Sequence, residues 1–183
     1  MSGPQIQVFP VWAPNGYRKD DFYVIRPSGD QHSAVDIFPT SGEVGAPILS
    51  PVSGMIENRE PYLPEEREFG GWSWYLRGDD SFLYYFAHAD EPTFRQPGER
   101  LGAGALLGFV GNSGNAKNTL PHLHLQTILL NKKLKKAGYY DPVPALLAVE
   151  PETFPWPPPF DIDVGEEGLS QTSKLGLGLA AVA

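Results

Sequence analysis

The chain has four histidines, His32, His88, His122 and His124, and no cysteine. Two of them share the stretch PHLHLQ (121–126), one opens HSAVD (32–36), and one closes the aromatic run SFLYYFAH (81–88). In a strand, residues two or four apart point to the same face. His122 and His124 should therefore project together, and an extended HSAVDI would likewise pair His32 with Asp36. An i, i+4 pair would also share a helix face, but VDIFP is a poor helix sequence and the strand reading is favoured. Neutral imidazoles and a carboxylate are common zinc ligands where no thiolate is present. A catalytic zinc takes three protein ligands and leaves its fourth position to water. Remaining histidines can then carry protons or stabilise a transition state, because their pKa lies near neutrality. Taken singly, H-x-H and H-x-x-x-D are weak patterns. A histidine at a strand end, such as His88, is more often a packed or surface residue.

The elements that must position these side chains are short. Strand candidates are FYVIRP (22–27), VDIFP (35–39), APILSPVSGMIENRE (46–60), WSWYLR (72–77), SFLYYFAH (81–88), ALLGFVG (105–111) and HLHLQTILL (122–130). Most are β-branched or aromatic and bounded by Gly, Pro, Asn or Asp, the pattern of an antiparallel all-β domain. Twenty glycines and nineteen prolines in 183 residues, with 12% aromatics, also favour short strands and turn-rich loops. GDD (78–80), between two aromatic strands, reads as a tight hairpin. NKKLKKAG (131–138) reads as a basic connector with one helical turn stopped by glycine. PALLAV (144–149) reads as a short terminal helix beginning at Pro144. PETFPWPPPF (151–160) should run extended along a surface, followed by a polar linker and the apolar tail LGLGLAAVA (175–183). The expected organisation is an extended N-terminal arm (1–21), one domain (22–149), and a Pro-rich extension with its apolar tail (150–183).

Composition excludes several functions. The formal net charge is −8, which argues against a nucleic-acid binder, because phosphate contacts need clustered Lys and Arg. The absence of cysteine removes disulfide frameworks, Cys-ligated zinc and thiol nucleophiles. The N-terminal stretch MSGPQIQVFPVWAPNG lacks the charged and apolar regions of a Sec signal, and no apolar run reaches the length of a membrane span.

In order along the chain, HSAVDI, GAPILSPVSGMI, YYFAHA, PGERLGAGALLGFVGNSG, PHLHLQ and YYDPVPAL resemble the lysostaphin/LytM-type zinc endopeptidases of the cell wall. The resemblance covers residues 30–148. It implies an antiparallel, sandwich-like β-domain of the duplicated-hybrid-motif type and hydrolysis of cross-links or stem peptides of bacterial peptidoglycan. It also implies one zinc ion, held by His32, Asp36 and His124. The family's two catalytic histidines fall on His88 and His122. His122 is the expected general base, and His88 would stabilise the oxyanion or assist proton transfer to the leaving amine. An alternative of a different class is a catalytically silent domain of this fold acting as a structural or regulatory binding module. Three routes to the wall remain open: release on lysis, incorporation in a phage tail or contractile injection assembly through the terminal arms, and delivery as an effector.

Two positions depart from the family pattern. Ala34 stands where glycine is usual, and Gln126 stands where glutamate is usual after HLH. Two aromatic pairs, Trp72 with Trp74 and Tyr84 with Tyr85, either line a substrate groove or fill the core. The segment 57–74 is expected to be an enlarged loop, walling the groove or merely solvated. GNSGNAKN (111–118) is expected as a flexible lip of the site, and the tail 175–183 as either a frayed end or a docking segment.

Overall fold

The computed structural model describes residues 3–13, 17–19, 22–26, 29, 31–40, 42, 44–60, 69–131 and 136–151 of the chain. They form an antiparallel β-domain with very little helix, as the turn-bounded aromatic runs predict. The strands are β1 (Tyr17–Lys19), β2 (Val35–Pro39), β3 (Pro47–Leu49), β4 (Gly54–Glu60), β5 (Trp72–Gly78), β6 (Phe82–Ala89), β7 (Arg100–Leu101), β8 (Leu106–Phe109), β9 (Leu123–Asn131) and β10 (Lys136–Tyr140). A short helix, α1 (Val143–Ala148), follows with Pro144 in its first turn, where a missing N–H costs nothing.

Eight strands make one sheet, ordered β1-β2-β9-β6-β5-β4-β7, with β10 also paired to β9; β3 and β8 make a second, two-stranded sheet. The central strand β9 therefore has β6 along one edge, and β2 and then β10 along the other. Alternation sorts its side chains. Leu123, Leu125 and Thr127 are buried, whereas His124 and Gln126 take the opposite face. Residues directly opposite one another share a face, so Leu125 meets Phe86 of β6, and Phe86 meets Trp74 of β5. The Trp74 and Phe86 rings stack with centroids 5.7 Å apart. Ile48 and Leu107 from the small sheet join Ile37, Ile56, Trp74, Tyr84, Phe86 and Leu125 from the large one in a single core. Trp74 and Tyr84 are thus core residues, and Trp72 packs, partly buried, against the same core.

The GDD hairpin forms as expected. Ser81 N–H donates to the Gly78 carbonyl, and the Asp80 carboxylate accepts from Phe82 N–H and the Tyr84 hydroxyl. Burial, and then the hydrogen bond and charge of Asp80, raise the Tyr84 pKa far above its ordinary value.

Several elements differ from expectation. APILSPVSGMIENRE is two strands in different sheets, because the turn holding Pro51, which has no N–H to donate, separates β3 from β4. That division makes 57–60 part of a strand, while 61–68 lie outside the described residues. FYVIRP is no continuous strand: Phe22 and Tyr23 form a turn, and Ile25 makes a single bridge to Gln31. Gly138 lies within β10 and does not stop a helical turn, since its backbone is opposite Leu129 in a regular ladder. The stretch 4–13 is extended, yet it buries Ile6, Phe9, Val11 and Ala13 in the core. The Pro-rich segment, the linker and the apolar tail, 152–183, lie outside the described residues. No helix among the described residues is long and apolar enough to cross a membrane.

Candidate metal centre

Asp36 and His124 are direct partners in the β2–β9 ladder, so regular pleating puts both side chains on the sheet face away from the core. His32 comes from the segment just before β2. A small hairpin holds it there: Tyr23 N–H donates to the His32 carbonyl, and His32 N–H donates to the Val24 carbonyl. Three atoms converge. Asp36 Oδ1 is 2.8 Å from His124 Nδ1 and 3.2 Å from His32 Nε2, and the two nitrogens are 3.2 Å apart. His32 and Asp36 are buried and His124 nearly so.

Lone pairs aimed at one another at this range are repulsive unless a proton or cation lies among them. The edge of a tetrahedron with zinc–ligand bonds of about 2.0 Å is about 3.3 Å, close to the observed triangle. The donor set, two imidazoles and one carboxylate, therefore fits a zinc-type ion. Burial on its own would raise the Asp36 pKa. Hydrogen bonds with His124 and His32, together with the charges of His124 and His122, overcome it and hold the carboxyl well below its ordinary value. Burial lowers the pKa of His124 despite the nearby carboxylate.

His122 enters the same face from just before β9. Its backbone N–H donates to the Gly111 carbonyl, and the ring stacks on Phe38 with centroids 4.7 Å apart. Its Nδ1 is 2.8 Å from the Leu120 carbonyl, and its Nε2 is 3.9 Å from Asp36 Oδ2.

His88 reaches the site by a different route. Along β6, Phe82, Tyr84 and Phe86 face the core, so strict alternation would turn His88 inward as well. The ladder with β5 shifts register here: Phe86 pairs with Trp74, but Ala89 pairs with Trp72. Three steps on β6 match two on β5, which is a β-bulge. Within it His88 adopts φ 65°, a conformation that costs a non-glycine residue on the order of 1–3 kcal/mol. The ring consequently lies 5.0 Å from that of His122 and 5.5 Å from that of His124, centroid to centroid.

Two turns support the bulge. His88 N–H donates to the Gly70 carbonyl, its carbonyl accepts from Gly111 N–H, and its Nδ1 is 3.0 Å from the Ser113 carbonyl. The turns pack backbone against backbone at Gly71 (φ 64°) and Gly114 (φ 69°), where a Cβ on Gly114 would sit 2.4 Å from Gly71 N. Only glycine permits that approach. Ser113 Oγ adds a bond to the Ala89 carbonyl and accepts from Trp72 N–H. The segment expected as a lip is thus a hydrogen-bonded brace for His88. Burial first, then the charges of His124 and His122, lower the His88 pKa to about 4, although the Ser113 carbonyl and Asp36 oppose the shift.

All five residues singled out in the sequence therefore lie together, and His88 and His124 among them line an open cleft. Of the two departures, Ala34 is fully buried, and Gln126 donates from Nε2 to Ser33 Oγ at 3.2 Å, tying β9 to the residue after His32. Residues not singled out also line the cleft beside His88 and His124: Arg26, Phe69, Gly70, Ala87 and Asn115, together with Tyr85 from the aromatic set. A sequence cue for Arg26 existed in the turn signal RPSGD, which marks a hairpin preceding His32.

A model of peptidase family M23 matches residues 30–136, more than half of the chain, and the chain belongs to that family. None of the curated proteins matches it. Among solved structures, the chain is similar to a LytM-type protein from Ruminococcus gnavus, with TM-score 0.65 and 23% identity over 80% of this chain. The match spans 61% of that protein's length. It is also similar to the catalytic domain of the antimicrobial peptidase lysostaphin from Staphylococcus simulans, with TM-score 0.58 and 27% identity, covering 72% of this chain and 92% of that one. A chain of the SpoIIIAH–SpoIIQ complex shares the fold at 13% identity, with TM-score 0.59 over 74% of this chain and 96% of that one.

Proposed function

We propose that the protein is a zinc-dependent endopeptidase hydrolysing peptide cross-links or stem peptides of bacterial peptidoglycan. The observation that carries this reading is the convergence of His32 Nε2, Asp36 Oδ1 and His124 Nδ1, no two more than 3.2 Å apart, beside two further histidines, in an M23 fold. The likeness to lysostaphin and to a protein described as a glycyl-glycine endopeptidase supports the substrate class.

His32, Asp36 and His124 would hold the ion. The chemistry zinc supplies when bound is Lewis acidity toward a peptide carbonyl and a lowered pKa for water. His122 and His88 divide the proton work. A carbonyl accepts only from an N–H, so the contacts to Leu120 and Ser113 fix the proton on Nδ1 of each ring. Both Nε2 atoms are then bases. His122 Nε2, near Asp36, accepts the proton of the attacking water. His88 is neutral at rest; the proton taken up by His122 passes to His88 Nε2, and His88 delivers it to the leaving amine or shares it with the oxyanion on the way, so that both rings end neutral.

Bound zinc in the purified protein, followed by wall digestion with and without chelator, tests the reading. One zinc per chain and chelator-sensitive release of muropeptides are expected; zinc-free protein without digestion would overturn it. That second outcome fits the other reading, a silent binding module; a chain with this fold is found assembled with a second protein in the SpoIIIAH–SpoIIQ complex. Delivery through a phage tail or contractile injection assembly would rest on the terminal arms. Of these, the N-terminal stretch has already committed Ile6, Phe9 and Val11 to the core.

A further inference from the structure

Arg26 is placed at the cleft by the hairpin that carries His32. Its carbonyl accepts from Gly29 N–H to close the turn, and Ile25 beside it bridges Gln31. One guanidinium nitrogen, Nη2, sits 3.0 Å from Asp36 Oδ2, the carboxylate oxygen turned away from the His32–His124 pair. That contact uses one edge of a group with five donors, and the side chain remains 44% exposed. Arg26 lines the cleft with Phe69, Tyr85, His88, Asn115 and His124, and among the described lining residues it alone carries a permanent charge. The chain as a whole carries −8, so no long-range field draws an anion here; an anionic group in the cleft must be held locally.

We propose that Arg26 is a specificity residue for acidic peptides: anchored on Asp36, its free donors bind a carboxylate on the substrate residue next to the scissile bond. Planar guanidinium matches a carboxylate in two parallel hydrogen bonds, which a lysine ammonium cannot do. The inference rests on the endopeptidase reading and narrows it. It favours stem peptides bearing a free carboxylate, as on diaminopimelate, over neutral oligoglycine bridges. Phe69, 69% exposed beside the same cleft, offers apolar surface for the aliphatic stem of such a residue.

The experiment uses zinc-loaded protein and synthetic stem peptides that differ only in whether the carboxylate beside the scissile bond is free or amidated. Separate peptides amidate the α-carboxyl and the side-chain carboxyl, which identifies the one recognised. Hydrolysis is followed, and binding of the same peptides with an N-methylated scissile amide is measured by calorimetry. Free-acid peptides should bind about ten-fold more tightly or better. Arg26→Gln should erase that preference, whatever common loss both peptides suffer through the contact with Asp36, and Arg26→Lys should restore part of it. Equal binding of acid and amide by the wild type would overturn the proposal. An equal loss on both peptides in Arg26→Gln would also overturn it, since Arg26 would then only position Asp36. A wild-type protein that binds the acid through Arg26 yet cuts neither peptide would leave this inference standing and defeat the endopeptidase reading.

Discussion

Asp36 and His124 face each other as partners of two regular strands, whereas His88 reaches the same cleft only because β6 breaks its pleat. The Asp36–His124 pair thus depends on register, which the buried faces of Leu123, Leu125 and Ile37 enforce, while His32 is held by a hairpin in which Tyr23 takes φ 64°. The His88 side depends on a bulge, a positive φ and two glycine turns that hold it from outside the strand. The strand pair is a by-product of the core, and His88 is a separately braced construction. Substitutions should therefore separate metal retention from turnover.

The largest effect belongs to the ligand side. Asp36→Asn and His124→Ala should lower zinc affinity by more than about 100-fold, beyond the usual loss from outer-shell partners, and turnover should vanish with it. Bound metal by mass spectrometry checks this, and full occupancy in either variant would sink the ligand assignment. His88→Ala should retain zinc while turnover falls by about 10²–10⁴. His88→Gly should be equally inactive but more stable than His88→Ala by about 1 kcal/mol in urea unfolding, because glycine takes φ 65° without strain. Equal stabilities would remove the strain from the comparison.

Gly71→Ala or Gly114→Ala forces the two turns apart and displaces His88 without touching a ligand. Turnover should drop by about 10², the cost of a misplacement near 1 Å, with zinc still stoichiometric. The smallest effect is a pH dependence of stability in the metal-free protein. His88 has a folded pKa of about 4 against an ordinary 6.5, so between these values the unfolded chain binds more protons. Its contribution, up to about 3 kcal/mol, is complete above pH 6.5 and is lost as pH falls toward 4. Asp36, whose pKa is depressed, adds a loss only below 3.8. Melting temperatures across this range check the sign, and His88→Ala should make the upper window shallower, leaving the share of His124, whose pKa is also lowered.

Much of this was legible in the residues. Alternation in HLHLQ put His122 and His124 on one face, and VDIFP put Asp36 opposite them once the strands paired. The hairpin at GDD followed from turn chemistry. What alternation could not give was His88, because a bulge depends on the neighbouring strand and not on the residues of β6 alone. Arg26 was obscured for a related reason: the strand composition of FYVIRP competes with the turn signal RPSGD, and the backbone bonds to His32 decide for a hairpin. The long stretch 46–60 failed at Pro51, whose effect on pairing is positional. Whether an aromatic pair fills the core or the groove was open in the sequence. Burial divides Tyr84 from Tyr85, which lie on opposite faces of β6.

The buried N-terminal stretch also bears on how molecules of this protein meet one another. Val11 bridges Ile48, Trp12 N–H donates to the Pro47 carbonyl, and Leu49 N–H donates to the Pro10 carbonyl. These bonds occupy the outer side of β3, the strand that would otherwise offer open ladder groups to a neighbouring chain. Pro4 and Pro10, which have no N–H, make the covering segment a poor template in its turn. Removing 1–13 would uncover a sticky strand as well as a core, so aggregation is the expected fate of a shortened chain.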